Sequence, residues 1–257
     1  MGRALQGQDR GIVMAGAELP ATVMVCCPLA TALPAAEAEA CLAAGGRMSV
    51  PVTWIAPLER IALVADRLRA AGSRSTVAIE IPTAVTGSRQ SLRHLLRQAR
   101  AEADGLDAAV LEGPLSMEAR RELVDAGIRV VCRDRFDDTQ RGSRRPAPQG
   151  WPCRSTLWGL WEVTRTAAAP PTGMRRFLPW AAMSRGCRGR LSVVDAGGGA
   201  SPAVVAGSTL RRGLERWEDW SRRQAHGGAV AATLSDLPEL IAGAARVPEG
   251  GSVLRAA

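Results

Sequence analysis

The chain has 257 residues, enough to bury a full core as one large α/β domain or two small ones, and 46% are hydrophobic, which excludes wholesale disorder. It contains no Lys, Asn or Tyr and only 2 Phe, a bias for which a GC-rich bacterial genome is the simplest cause. The formal charge of +8 is carried by arginine and raises the question of a polyanionic partner.

No segment approaches the roughly 18 unbroken apolar residues of a membrane helix. The opening "MGRALQGQDRGIVMAGAELP" has no apolar core followed by a small-residue cleavage site. A cytoplasmic location is therefore the expectation, with residues 1–20 read as a flexible segment, 21–245 as one domain and 246–257 as a tail. Cys26, Cys27, Cys41, Cys132, Cys153 and Cys187 form neither a CxxC nor a Cys/His zinc spacing. They read as reduced, mostly buried small hydrophobes.

In chain order, "TVMVCC" is a strand ending on Cys26 and Cys27. Neighbours in a strand face opposite sides, so this pair is poorly placed to bind one metal together or to bridge. "PAAEAEACLAAG" follows as a helix stopping at Gly45 and Gly46. "MSVPVTWIA" is β-rich, and "PLERIALVADRLRAAG" is a helix whose Ile61, Val64, Ala65 and Leu68 form one stripe. "STVAIEIP" is a strand, and "SRQSLRHLLRQARAEADG" a strongly amphipathic helix. "DAAVLEGP", "SMEARRELVDAG" and "IRVVCRD" read as strand, capped helix and strand. An arginine-rich stretch from Arg133 to Arg154 follows, with the turn composition of a solvated loop. Beyond a poorly patterned middle come "RLSVVDAGGG" (strand and glycine loop), "STLRRGLERWEDWSRRQAHGG" (long helix) and "AVAATLSDLPELIAG" (short strand, final helix).

Alternating strands and helices imply parallel strands covered by helices. No strand–helix junction carries GxGxxG or a phosphate-binding loop, and the triple glycine at 197–199 lacks the rest of either pattern. A nucleotide-binding open sheet thus gives way to a barrel-like α/β fold, whose sites sit where strands end. Cys26, Cys27, Glu80, Glu112, Arg133 and Asp195 all lie at such ends.

The order of elements resembles the NodB-homology fold of polysaccharide deacetylases, a distorted (β/α) barrel. The stretch "GGRMSVPVTWIAPLERIALVADRLRAAG" is similar to that family's second strand and following helix, and "LERWEDWSRRQAHGGAVAATLSDLPELI" to its closing segment. The resemblance implies an Asp-His-His metal site that polarises an N-acetyl carbonyl and activates water, with an aspartate base and a histidine acid. Here the motif positions are altered. The paired aspartates fall on Cys26 and Cys27, and the two histidines on Glu80 and Ala84. The Arg-Pro-Pro motif falls on Glu112-Gly113-Pro114, and the late His-Asp pair on Val194 and Asp195. No proposed metal ligand survives unchanged. His94 lies inside a helix and His226 at a helix end, neither placed to substitute.

A rebuilt thiolate–carboxylate site (Cys26 or Cys27, Glu80, Asp195) and a nucleophilic cysteine are both weighed, but the first has few imidazoles and the second no histidine base. Trp158, Trp161 and Glu162, with Arg133, could stack on and hydrogen-bond a sugar, or simply fill a core strand. Trp217 and Trp220, three apart, read as a packing stripe. The principal expectation is a non-catalytic, deacetylase-like protein in a carbohydrate-related binding or scaffolding role, partnered by carbohydrate or a polysaccharide-pathway protein and needing no cofactor. The alternatives are an active N-acetyl-sugar hydrolase with a rebuilt site, which alone would need a divalent metal, and a polyanion-binding module through Arg133 to Arg154. Nucleic acid is not the expected partner.

Overall fold

The computed structural model describes residues 22–111, 113, 115–133, 153–155, 157–165, 191–196, 206–225 and 230–245. Strands β1 (Thr22–Pro28), β2 (Val52–Ala56), β3 (Thr76–Ile81), β4 (Ala108–Leu111) and β5 (Val130–Arg133) pair in parallel, each with the next. Beyond β5 lies β7 (Trp161–Thr164), and on the other side of β1 lies β8 (Leu191–Asp195), both again parallel to their neighbours. The order β7-β5-β4-β3-β2-β1-β8 runs one way around with no reversal, and the seven strands curl into a nearly closed (β/α) barrel. The expected fold class is the one found.

Helices α1 (Ala35–Gly46), α2 (Leu58–Ala70), α3 (Thr83–Thr86), α4 (Arg89–Glu102) and α5 (Met117–Asp125) connect these strands. After β8 come α6 (Gly207–Ala225), β9 (Val230–Ala232) and α7 (Leu237–Ala245). β9 pairs with the first half of β1, on the residues that β2 leaves open. No helix among the described residues is long and apolar enough to cross a membrane.

The poorly patterned middle contains a hairpin: β6 (Cys153–Ser155) runs antiparallel to β7, with one 3-10 turn between them. Its strands are only three and four residues long, too short for a period to show in the sequence. Helix α1 ends at Gly46, within the glycine pair where the stop was expected, and the Trp54 ring lies so close to Gly45 that a Cβ there would clash with it. Residues 1–20, 134–152 and 246–257, and with them the arginine-rich loop and both terminal segments, lie outside the described residues.

Strand alternation sorts the core into an inside and an outside. Met24, Cys26, Ile55, Ala78, Ala108, Val110, Val130, Cys132, Val163 and Val193 fill the lumen. Leu234, Leu237 and Ile241 seal it at the strands' N-terminal ends. That plug is fixed by Leu234 N–H donating to Thr53 Oγ1 (2.9 Å), Ser235 donating to Asp107 (2.6 Å) and a Thr233–Asp236 capping box. Outside the barrel, Cys27, Cys41, Trp54, Trp217 and Trp220 pack under α1, α2 and α6. A second outer layer under α4 and α5 holds Ile79, Ile81, Leu92, Leu96 and Leu123. Among the described residues the plug closes the lower end of the lumen, which leaves the strands' C-terminal ends as the candidate mouth.

Candidate functional site at the barrel mouth

Three strand ends converge on that mouth. Asp195 closes β8 directly opposite Cys26 of β1 in register. It alternates with Leu191 and Val193, both lumen residues, and so faces inward. Arg165 follows β7 by one residue and faces inward by the same alternation from Val163. Its guanidinium reaches Asp195 Oδ2 at 3.2 Å, with side-chain exposures of 11% and 8%. This ion pair spans the gap between β7 and β8, where no backbone pairing closes the ring among the described residues. Glu80 shares the lumen side of β3 with Ala78, and in register it lies level with Val110, Cys132 and Val163.

Cys26 and Cys27 take opposite faces, as their adjacency requires. Cys26 is fully buried in the lumen and hydrogen-bonded to Cys132 of β5; that bond, followed by burial, pushes its thiol well above the ordinary cysteine range. Cys27 is fully buried in the outer layer, and burial there raises it likewise. Both stay thiols at neutral pH, so neither is prepared to act as a nucleophile.

The residues at the deacetylase metal positions do not fit a divalent metal. Cys27 points to the other side of the sheet, Cys26 is engaged by Cys132, and Asp195 is matched by a guanidinium. Ala84 lies in α3 and carries no donor atom. Among the described residues no three His, Cys, Asp or Glu side chains are grouped to hold a metal ion. Glu112 lies outside the described residues.

The proposed ligand-binding set does not line one cleft. Trp158 is 53% exposed, with φ of 66°, in the turn feeding the N-terminal end of β7, which is the end away from the mouth. Trp161 packs on the lumen residues. Glu162, its neighbour in β7, faces the other way and is buried against Arg120 (2.7 Å), with Arg133 at 4.0 Å. Arg133 also donates to the Gly113 carbonyl at 2.6 Å. Glu162 thus ties α5 to β7. Trp217 and Trp220 are buried and meet edge to face at 5.5 Å, the packing stripe their spacing predicts. His94 is exposed in the middle of α4, and His226 lies outside the described residues.

Sequence reasoning missed Arg165 and the Cys26–Cys132 contact. The signal for Arg165 was present in "WEVTR", where two-residue alternation from Val163 carries the arginine inward. The thiol contact joins strands that are not adjacent, and no local pattern announces it.

No family model matches the sequence, and no curated protein matches it. Among solved structures, the chain is similar to a family 4 carbohydrate esterase from Streptomyces lividans in complex with acetate, at 10% identity over 84% of this chain and 93% of that one, TM-score 0.41. It is similar to Bacillus subtilis PdaA, a family 4 carbohydrate esterase, at 10% identity over 86% and 82%, TM-score 0.43. It is also similar to KGPDC from Streptococcus mutans, at 10% identity over 77% and 99%, TM-score 0.33.

Proposed function

We propose that this protein is a non-catalytic, deacetylase-like barrel whose mouth binds a carbohydrate or a carbohydrate-bearing partner. The observation that carries this reading is the Arg165–Asp195 ion pair. The one carboxylate retained at a deacetylase motif position, Asp195, spends its charge on a guanidinium across the barrel seam. A fixed guanidinium–carboxylate pair offers donors and acceptors to hydroxyl and amide groups, which is what neutral sugar recognition uses. With Cys26 held as a thiol, the mouth keeps hydrogen-bonding capacity and this cysteine is not an activated nucleophile.

The test combines calorimetry with N-acetylated chito-oligosaccharides and metal analysis of the purified protein. Binding is expected to survive a chelator and to weaken about tenfold in Arg165→Ala, the scale of one charged hydrogen bond. Stoichiometric divalent metal, together with deacetylation that Glu80→Ala abolishes, would replace this reading with the rebuilt hydrolase.

A further inference from the structure

Helix α4 carries Arg89, Arg93, Arg97 and Arg100, and all four are exposed. At spacings of four, four and three residues they fall within an arc of about 80° and form one stripe along the helix, with about one guanidinium per 5–6 Å turn. The stripe is partly preorganised. Glu122 of α5, whose side chain is 2% exposed, accepts from Arg89 Nε and from Arg93 Nε and Nη2, the latter two at 2.7 and 2.8 Å. One carboxylate thus steers two guanidiniums, and Arg97 and Arg100 have no ion pair of their own with it. Glu102 on α4 and Glu118 and Asp125 on α5 are the nearby acidic residues in the sequence of these two helices.

From this geometry we propose that the α4 face docks a linear anionic polysaccharide bearing one carboxylate per sugar, a polyuronate. A row of guanidiniums repeating once per helical turn matches a polymer that repeats its charge once per monomer, and the planar fork pairs with carboxylate in bidentate fashion. Gln90, His94 and Gln98 flank the row and supply hydrogen-bonding groups for hydroxyls. The helix has no Phe, Tyr or Trp, so its stacking capacity for bases is limited to His94, and it has no exposed large apolar side chain to enter a membrane. The surface lies on the barrel's flank and is independent of the mouth reading.

Fluorescence anisotropy with labelled oligogalacturonate, at low and at physiological salt, tests it. Binding at low salt should fall steeply as salt rises, and Arg97→Glu/Arg100→Glu should weaken it about tenfold or more. Neither of those residues touches Glu122, and far-UV circular dichroism confirms that the variant folds. Arg211→Glu/Arg212→Glu on α6 makes the same change in net charge elsewhere and should leave affinity within about twofold. Absence of binding at low salt, or equal losses in both double variants, would overturn the proposal. Equal affinity for an oligothymidylate of matched charge would overturn the assignment to polyuronate.

Discussion

The lumen and the outer layer beneath α1 and α6 are built from the same strands yet filled by different side chains. Inside, the small Cys26, Ala78, Ala108, Cys132 and Ala232 leave room for Met24, Ile55, Leu191 and the lumen valines in the space that seven strands enclose. Outside, Trp54, Trp217 and Trp220 fill the wider space between flat sheet and cylindrical helix. Adjacent cysteines on β1 sample both environments: Cys26 finds a thiol partner across the barrel, whereas Cys27 lies among apolar groups. Indole rings fill the outer layer, and the inner one joins a thiol pair to a mixture of small and branched apolar side chains.

Substitutions can break this comparison. The largest effect is expected from Trp217→Ala, a loss of about 3–5 kcal/mol in urea unfolding, since its ring is fully buried against Trp220. Gly213→Ala should cost about 1–3 kcal/mol, even though alanine favours helix, because a Cβ there would sit 1.8 Å from the Ala196 carbonyl oxygen. In the same assay Cys27→Ser should cost about 1 kcal/mol more than Cys26→Ser, whose hydroxyl can still pair with Cys132. Equal losses would show that the lumen thiol pair contributes nothing.

Alkylation sharpens the contrast without mutation. In native protein at about pH 8, iodoacetamide should leave Cys26, Cys27 and Cys132 unmodified by mass spectrometry, since all three are buried and the first two are pushed up in pKa. Cys153, part-buried and pushed up to about 11 by burial, should react more slowly than in denaturant.

The smallest effect concerns the α4–α5 flank. Hydrogen bonds from Arg93 and Arg89 lower Glu122 from 4.5 to about 2, so its stabilisation is present above pH 4.5 and is lost as pH falls toward 2. The Tm advantage of the native protein over Glu122→Gln should therefore shrink across that window. An advantage unchanged between pH 5 and pH 2 would exclude the carboxylate pairing as its source.

Much of the barrel could be read from local pattern. Strands β1 to β5 and helices α1, α2, α4 and α5 announce themselves because buried parallel strands need continuous apolar runs and their covering helices need one apolar stripe. The opposite facing of Cys26 and Cys27 also follows from the two-residue period alone. The β6–β7 hairpin was hidden, since a strand of three residues has no measurable period and Trp158 enters the left-handed region that sequence rules assign to glycine. The candidate site was legible only as a set of strand ends.

What the sequence by itself determined was the alternation of elements and the burial of Cys26, Cys27, Cys41 and Cys132. These depend on residues near one another in the chain. Which side chains meet was decided by closure of the barrel. Closure brings Arg165 to Asp195 and Cys26 to Cys132, across separations of 30 and 106 residues. The separation of Trp161 from Glu162, by contrast, needs no closure, because neighbours in a strand cannot share a face. Long-range pairs form only when the sheet curls, so their chemistry belongs to the tertiary structure.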